Sequence, residues 1–130
     1  MNDELKTPLK TGLHRAVGGE HDYPNPGDLL CAALASCMES TIRMIANRLE
    51  IKLTHTKVLV EAIADVRGTL QFDPSVKVGF KYLDMDVELG AENAGEKIIK
   101  TVFNAAKRSC VVYQTLKPGV EIKKNFRIVK

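Results

Sequence analysis

Residues 25 to 49, NPGDLLCAALASCMESTIRMIANRL, constrain the fold more than any other stretch, because they write one long helix with two different surfaces. Asn25 is a favoured N-cap, Pro26 suits the first helical position, and Asp28 puts a carboxylate in the first turn, where the helix dipole welcomes it. From Leu29 to Met38 the helix is apolar or small on every side and asks for cover all round. Beyond that point, charges at Glu39, Arg43, Arg48 and Glu50 leave an apolar stripe of Ile42, Ile45, Ala46 and Leu49. A chain of 130 residues makes a single domain, 1 to 130, with one core and little mass to spare for a helix enclosed on all sides. A second copy of the chain is the expected cover.

The remaining segments read mainly as a sheet. One short strand is expected in LKTGLHRAV. In KVLVEAIADV, Val58, Val60, Ala62, Ala64 and Val66 share one face, while Leu59, Glu61, Ile63 and Asp65 share the other, which is the period of a strand. RGTLQFDPS carries turn chemistry, and VKVGFKYLDMDVELG reads as the returning strand, its phase slipping at Tyr82 and Leu83 so that a bulge is expected there. Asn93 is the expected cap of the helix AGEKIIKTVFNAAKRS, whose Ile98, Ile99, Val102, Phe103 and Ala106 lie on one side. Cys110 opens a short helical turn, CVVYQTL, that stops before Pro118 and Gly119. GVEIKKNFRIV then alternates, with Val120, Ile122, Phe126 and Ile128 inward. This order of elements implies an α+β fold with a largely antiparallel sheet.

Several functional classes are disfavoured. The net charge of +3 is spread among interspersed acids, and aromatics make up only 5% of the chain with no Trp, so no nucleic-acid footprint emerges. No apolar run reaches the roughly 18 residues of a membrane span, and the first residues lack a secretory-signal pattern, so a cytoplasmic protein away from membranes is expected. His14, His21 and His55 show no metal spacing with the cysteines, and no metal or organic cofactor is expected. Asp84, Asp86 and Glu88 alternate along a strand and read as a solvated face.

The thiols hold the chemistry. Cysteines occur at 31, 37 and 110, an odd count without framework spacing, which suits a reducing compartment where thiols pack, bind metal or react. Cys31, with Leu34 and Ala35 along its face, reads as a packed residue. Cys37 either packs or reacts. It lies eleven positions beyond Pro26, where the dipole has faded, so a reactive thiolate there calls for a cation brought from another element. Cys110 follows Lys107, Arg108 and Ser109 near a helix start, a setting that can lower a thiol pKa, so it too either packs or reacts. Cys31 and Cys37 sit about 240° apart around the helix and cannot face one partner. Cys37 and Cys110 come from different elements, and a two-cysteine peroxide reductant needs such a pair.

The stretch NPGDLLCAALASC, the later KRSCVVYQTL and the closing GVEI strand together resemble the OsmC/Ohr family of thiol peroxidases, from about Pro24 to the C-terminus. The resemblance implies an intertwined homodimer with long central helices enclosed by sheets, Cys37 as peroxidatic and Cys110 as resolving cysteine, a hydroperoxide substrate, and a dithiol or lipoyl-type reductant. It also implies an activating arginine from the N-terminal segment, for which Arg15 is the candidate. Gly27 stands where the better-known members have Glu, with Asp28 one place on, and the C-P-V motif at the second cysteine is Cys110-Val111-Val112 here. A non-catalytic dimer of the same fold, binding a small apolar ligand or a partner, is the alternative.

Overall fold

The computed structural model describes residues 8 to 130. The long helix, α1, spans Pro26–Arg48. Its start is a reciprocal capping box: the Asn25 side chain accepts from the Asp28 N–H at 2.9 Å, and the Asp28 carboxylate accepts from the Asn25 N–H at 3.0 Å. Its end is a Schellman turn, with Ile51 N–H bonded to the Ala46 carbonyl at 2.8 Å and Glu50 N–H to that of Asn47 at 3.1 Å. That turn puts Glu50 at φ 56°, a left-handed conformation that glycine would adopt without strain. Asn93 clamps the same turn: its Nδ2 donates to the Glu50 carbonyl at 2.9 Å and its Oδ1 accepts from Lys52 N–H at 2.8 Å. Asn93 is therefore not the cap of the next helix, as expected from sequence, because its amide is spent on α1. Gly95 takes the cap position without a side-chain bond.

Three strands follow, β1 (Leu53–Ile63), β2 (Tyr82–Ala91) and β3 (Glu121–Ile128), ordered β1-β2-β3 in one sheet. β1 and β2 are antiparallel, with Val58 opposite Val87, Val60 opposite Met85 and Ala62 opposite Leu83. Between them lies a single helical turn, α2 (Val66–Thr69), where the sequence pattern had carried the strand on to Val66. β3 runs parallel to β2, so the sheet is mixed and not largely antiparallel. The cause is the connection: α3 (Glu96–Ser109) and α4 (Val111–Leu116) carry the chain back across the sheet, and such a crossover brings the next strand in parallel.

Two further expectations are corrected. Residues 76 to 81 are not strand, so the phase change at Tyr82 is the beginning of β2 and no bulge; the register shift falls between Leu53 and His55 in β1 instead. LKTGLHRAV forms no strand but a short 3-10 turn, Arg15–Val17, capped by the His14 ring accepting from Ala16 N–H at 3.0 Å.

One face of the sheet makes the core. Leu83, Met85, Val87 and Leu89 of β2 are fully buried beneath Leu34, Met38 and Ile42 of α1 and Val102 and Ala106 of α3. Phe103 stacks on Phe126 of β3 with ring centroids 4.6 Å apart. Ile98, read as part of the buried side of α3, is half exposed. The other sheet face is polar, where Asn125 donates to Asp84 and Asp86 and Arg127 pairs with Glu88, as expected of a solvated acidic row. The first half of α1 is covered on one side only: Leu34 and Met38 are buried, whereas Ala32, Ala33 and Ser36 are exposed in the single chain. By length and composition α1 would also qualify as a membrane span, but it packs its stripe on the sheet as a core helix does.

Replacing Asn93 by Ala should cost about 1 kcal/mol, the loss of two hydrogen bonds at an exposed turn. Glu50→Gly should shift the urea midpoint the other way, by about 1 kcal/mol of relieved left-handed strain. Equal and same-signed shifts of the two midpoints would refute this account of the turn.

Candidate functional site

Cys37 sits on α1 one residue before the buried Met38, so its sulfur lies at the rim of the packed face and is half exposed. The element packed against it is the start of α4. Cys110 ends α3 and at the same time caps α4: its φ of −73° and ψ of 112° break the first helix, and its Sγ accepts from the Tyr113 N–H at 3.4 Å. Cys110 is fully buried. The first two residues of α4, Val111 and Val112, therefore turn unpaired N–H groups toward α1.

This geometry sets the two thiols apart. Burial alone would raise the Cys37 thiol, but hydrogen bonds from the Val112 N–H, the Cys110 thiol, the Thr41 hydroxyl and the Val111 N–H outweigh it and hold Cys37 below its ordinary value. The Thr41 hydroxyl has one proton, already committed at 2.7 Å to the Cys37 carbonyl, so the backbone groups and the Cys110 thiol are the effective donors. Cys110 moves the other way. Burial and the neighbouring Cys37 sulfur push it up to about 11, against the lowering pull of the Tyr113 N–H. The basic end of α3, which could have lowered Cys110, is thus outweighed by its burial. Within the single chain, neutral donors are what lower Cys37.

Arg15 lies in the exposed 3-10 turn ahead of α1. Its neighbours Leu13, His14 and Val17 share a hollow with Asn25, Pro26 and Gly27, which sets this turn by the head of α1, while Cys37 lies about 16 Å further along the helix. Cys31 is half buried, with its thiol raised by burial and by the Asp28 and Glu61 carboxylates, and it faces β1 away from the sulfur pair. At the head of α1, Gly27 lies under the Phe80 ring: a Cβ there would come within 3.2 Å of Phe80 Cζ. A glutamate at this position would have to displace the ring, and the adjacent Asp28 is engaged in the capping box. An apolar hollow of about 300 Å³ opens beside it, lined by Leu13, Val17, Pro26, Val66 and Phe80. Among the described residues no three His, Cys, Asp or Glu side chains converge in a way that would hold a metal ion.

A family model described as OsmC-like protein matches residues 19–125. The fold is similar to that of an OsmC-like protein from Mycoplasma pneumoniae (TM-score 0.73, 18% identity, covering 84% of this chain and 74% of that one). It is also similar to an organic hydroperoxide resistance protein OsmC from Legionella pneumophila (TM-score 0.71, 23% identity, 94% and 82% covered). A third similar structure is an organic hydroperoxide resistance protein from Elizabethkingia anophelis with thiocyanate bound (TM-score 0.68, 19% identity, 90% and 78% covered). A comparison with curated proteins finds no match.

Alkylation followed peptide by peptide across pH should give Cys37 a midpoint below that of an ordinary thiol and Cys110 one near 11. Because a lowered pKa keeps the thiolate present at lower pH, Cys110→Ala, which deletes one donor, should move the Cys37 midpoint upward. Coincident midpoints for the two cysteines would contradict this ordering.

Proposed function

We propose that this chain, which belongs to the OsmC-like protein family, is a cysteine-based peroxidase acting on organic hydroperoxides through Cys37 and Cys110. The observation that carries the reading is the sulfur pair itself: a half-exposed thiol held toward its thiolate, hydrogen-bonded to a buried thiol held toward its protonated form. Thiolate fraction and access are what peroxide attack demands of the first sulfur, and proximity is what disulfide closure demands of the second.

The Cys37 thiolate attacks the terminal oxygen of the hydroperoxide, the O–O bond breaks, and the leaving alkoxide takes a proton from the adjacent Cys110 thiol. The products are an alcohol, a Cys37 sulfenic acid and a Cys110 thiolate. That thiolate attacks the Cys37 sulfur and expels hydroxide, which closes a Cys37 to Cys110 disulfide. A dithiol of the lipoyl type reopens it, in the reducing cytosol. The apolar surroundings of Cys37, Ala33, Leu34 and Met38, favour an organic peroxide over hydrogen peroxide.

The working unit in this proposal is a homodimer. The uncovered side of α1, with Ala32, Ala33 and Ser36, is the surface a second copy would bury, and across that surface Arg15 of one chain would support the thiolate of the other. The apolar hollow at the head of α1 favours the second reading, a dimer that binds a small apolar ligand without turning over.

One equivalent of cumene hydroperoxide should convert both thiols into a Cys37 to Cys110 disulfide detectable by peptide mass mapping, from a species with about twice the chain mass of 14.4 kDa. Cys37→Ser should abolish peroxide consumption, and Cys110→Ser should leave a Cys37 sulfenic acid that dimedone traps. Arg15→Ala should slow oxidation about tenfold or more, the worth of one pKa unit of thiolate stabilisation. Thiols unchanged after peroxide would sink the enzyme reading and leave the ligand-binding dimer.

A further inference from the structure

A second hollow, of about 320 Å³, opens between the end of α3, α4 and β3, and its walls carry Lys107, Arg108, Lys117 and Lys124 together with Asn104 and Tyr113. None of these four cations has a carboxylate within ion-pair distance among the described residues, although ion pairs form elsewhere, as between Arg67 and Asp65 or Lys130 and Glu96. The crowding is felt. The Lys107 ammonium is pushed below its ordinary value by burial first, then by Lys124, Arg108, Lys100 and Lys117. It rests on the Phe103 ring, 4.8 Å from the centroid, which offers partial compensation but no charge. The Lys124 ammonium reaches the Tyr113 hydroxyl at 3.4 Å, leaving the phenol proton free to donate into the hollow.

We propose that this hollow binds a phosphate-bearing small molecule whose doubly charged group sits among Lys107, Arg108, Lys117 and Lys124. Four like charges gathered around one concavity repel each other, and an anion of charge near −2 is the simplest neutraliser. The Arg108 guanidinium can engage two oxygens of one phosphate, while the lysines add point charges and the Tyr113 hydroxyl a neutral donor. Phosphate alone would not fill the volume, so there is room for the organic remainder. Cations clustered in one hollow, with no stripe of charge and no row of aromatics, do not suit a nucleic-acid strand. The site stands apart from the peroxidase reading, although Tyr113 borders both places: its N–H donates to Cys110 Sγ while its hydroxyl faces the hollow.

The test is an amide NMR titration of the full chain at low salt with pyrophosphate, run in parallel with inorganic phosphate and succinate. Saturable shifts centred on Lys107, Tyr113, Gln114 and Lys117 are expected with pyrophosphate, and the same pattern with inorganic phosphate would identify the phosphate group alone as sufficient. The double variant Lys117→Gln/Lys124→Gln, both exposed positions, should bind pyrophosphate at least about tenfold more weakly, whereas Arg127→Gln on the outer sheet face should bind as the parent does. Shifts that spread over the surface without saturating, a double variant that binds like the parent, or succinate binding as tightly as pyrophosphate would each overturn the proposal.

Discussion

Leu34, Met38, Ile42 and Ile45 recur along α1 every three or four residues, and burying them against the sheet fixes the rotation of that helix about its own axis. Cys37 precedes Met38 by one residue, about 100° around the helix, so the same rotation carries its sulfur to the boundary between core and open surface. A helix turned further in would have sealed the thiol among apolar side chains and raised its pKa; turned further out, the thiol would have lost α4 as a neighbour. The Schellman turn at Glu50 and the Asn93 clamp hold the far end of α1, and the capping box holds the near end. The position of the sulfur thus follows from packing along the whole of α1.

The second constraint is that Cys110 belongs to two helices at once. Ending α3 and opening α4 at a single residue leaves the first N–H groups of α4 without intrahelical partners, and they are aimed at α1. Backbone donors carry no side-chain entropy to be lost, and being uncharged they are indifferent to salt in a way that a lysine or arginine partner is not. Two sulfurs in hydrogen-bond contact cannot both hold charge readily, so settling the charge on Cys37 raises Cys110 in the same step.

Much of this was legible in the sequence. The N-cap and length of α1, the alternation of Leu83, Met85, Val87 and Leu89 on one face, and the break at Cys110 each rest on local signals: a capping residue, a period of two, a switch between helices. The parallel entry of β3 was not local, because it depends on where the crossover deposits the chain. Asn93 has the composition of a cap but is taken by a partner some forty residues earlier in sequence, and Glu50 occupies a left-handed position that composition reserves for glycine. The residue pattern alone left the ordering of the two thiols open for a related reason. Sequence shows charged neighbours such as Lys107 and Arg108, whereas the deciding groups are the N–H dipoles of Val111 and Val112, which every residue but proline carries and no side chain advertises.

The head of α1 bears on the same question from the opposite side. Where the resembled family places a glutamate, Gly27 lies beneath Phe80, and the adjacent Asp28 is bound into the capping box. Position 27 itself therefore offers no carboxylate to anchor a guanidinium, and Arg15 projects from an exposed turn held by the His14 ring. An unanchored arginine must surrender about 2 kcal/mol of rotamer freedom to be held against any thiolate, a cost that preplaced backbone donors do not incur. Within a single chain the groups that favour a Cys37 thiolate are accordingly positioned dipoles, and the hollow beside Gly27 is lined mainly by apolar side chains.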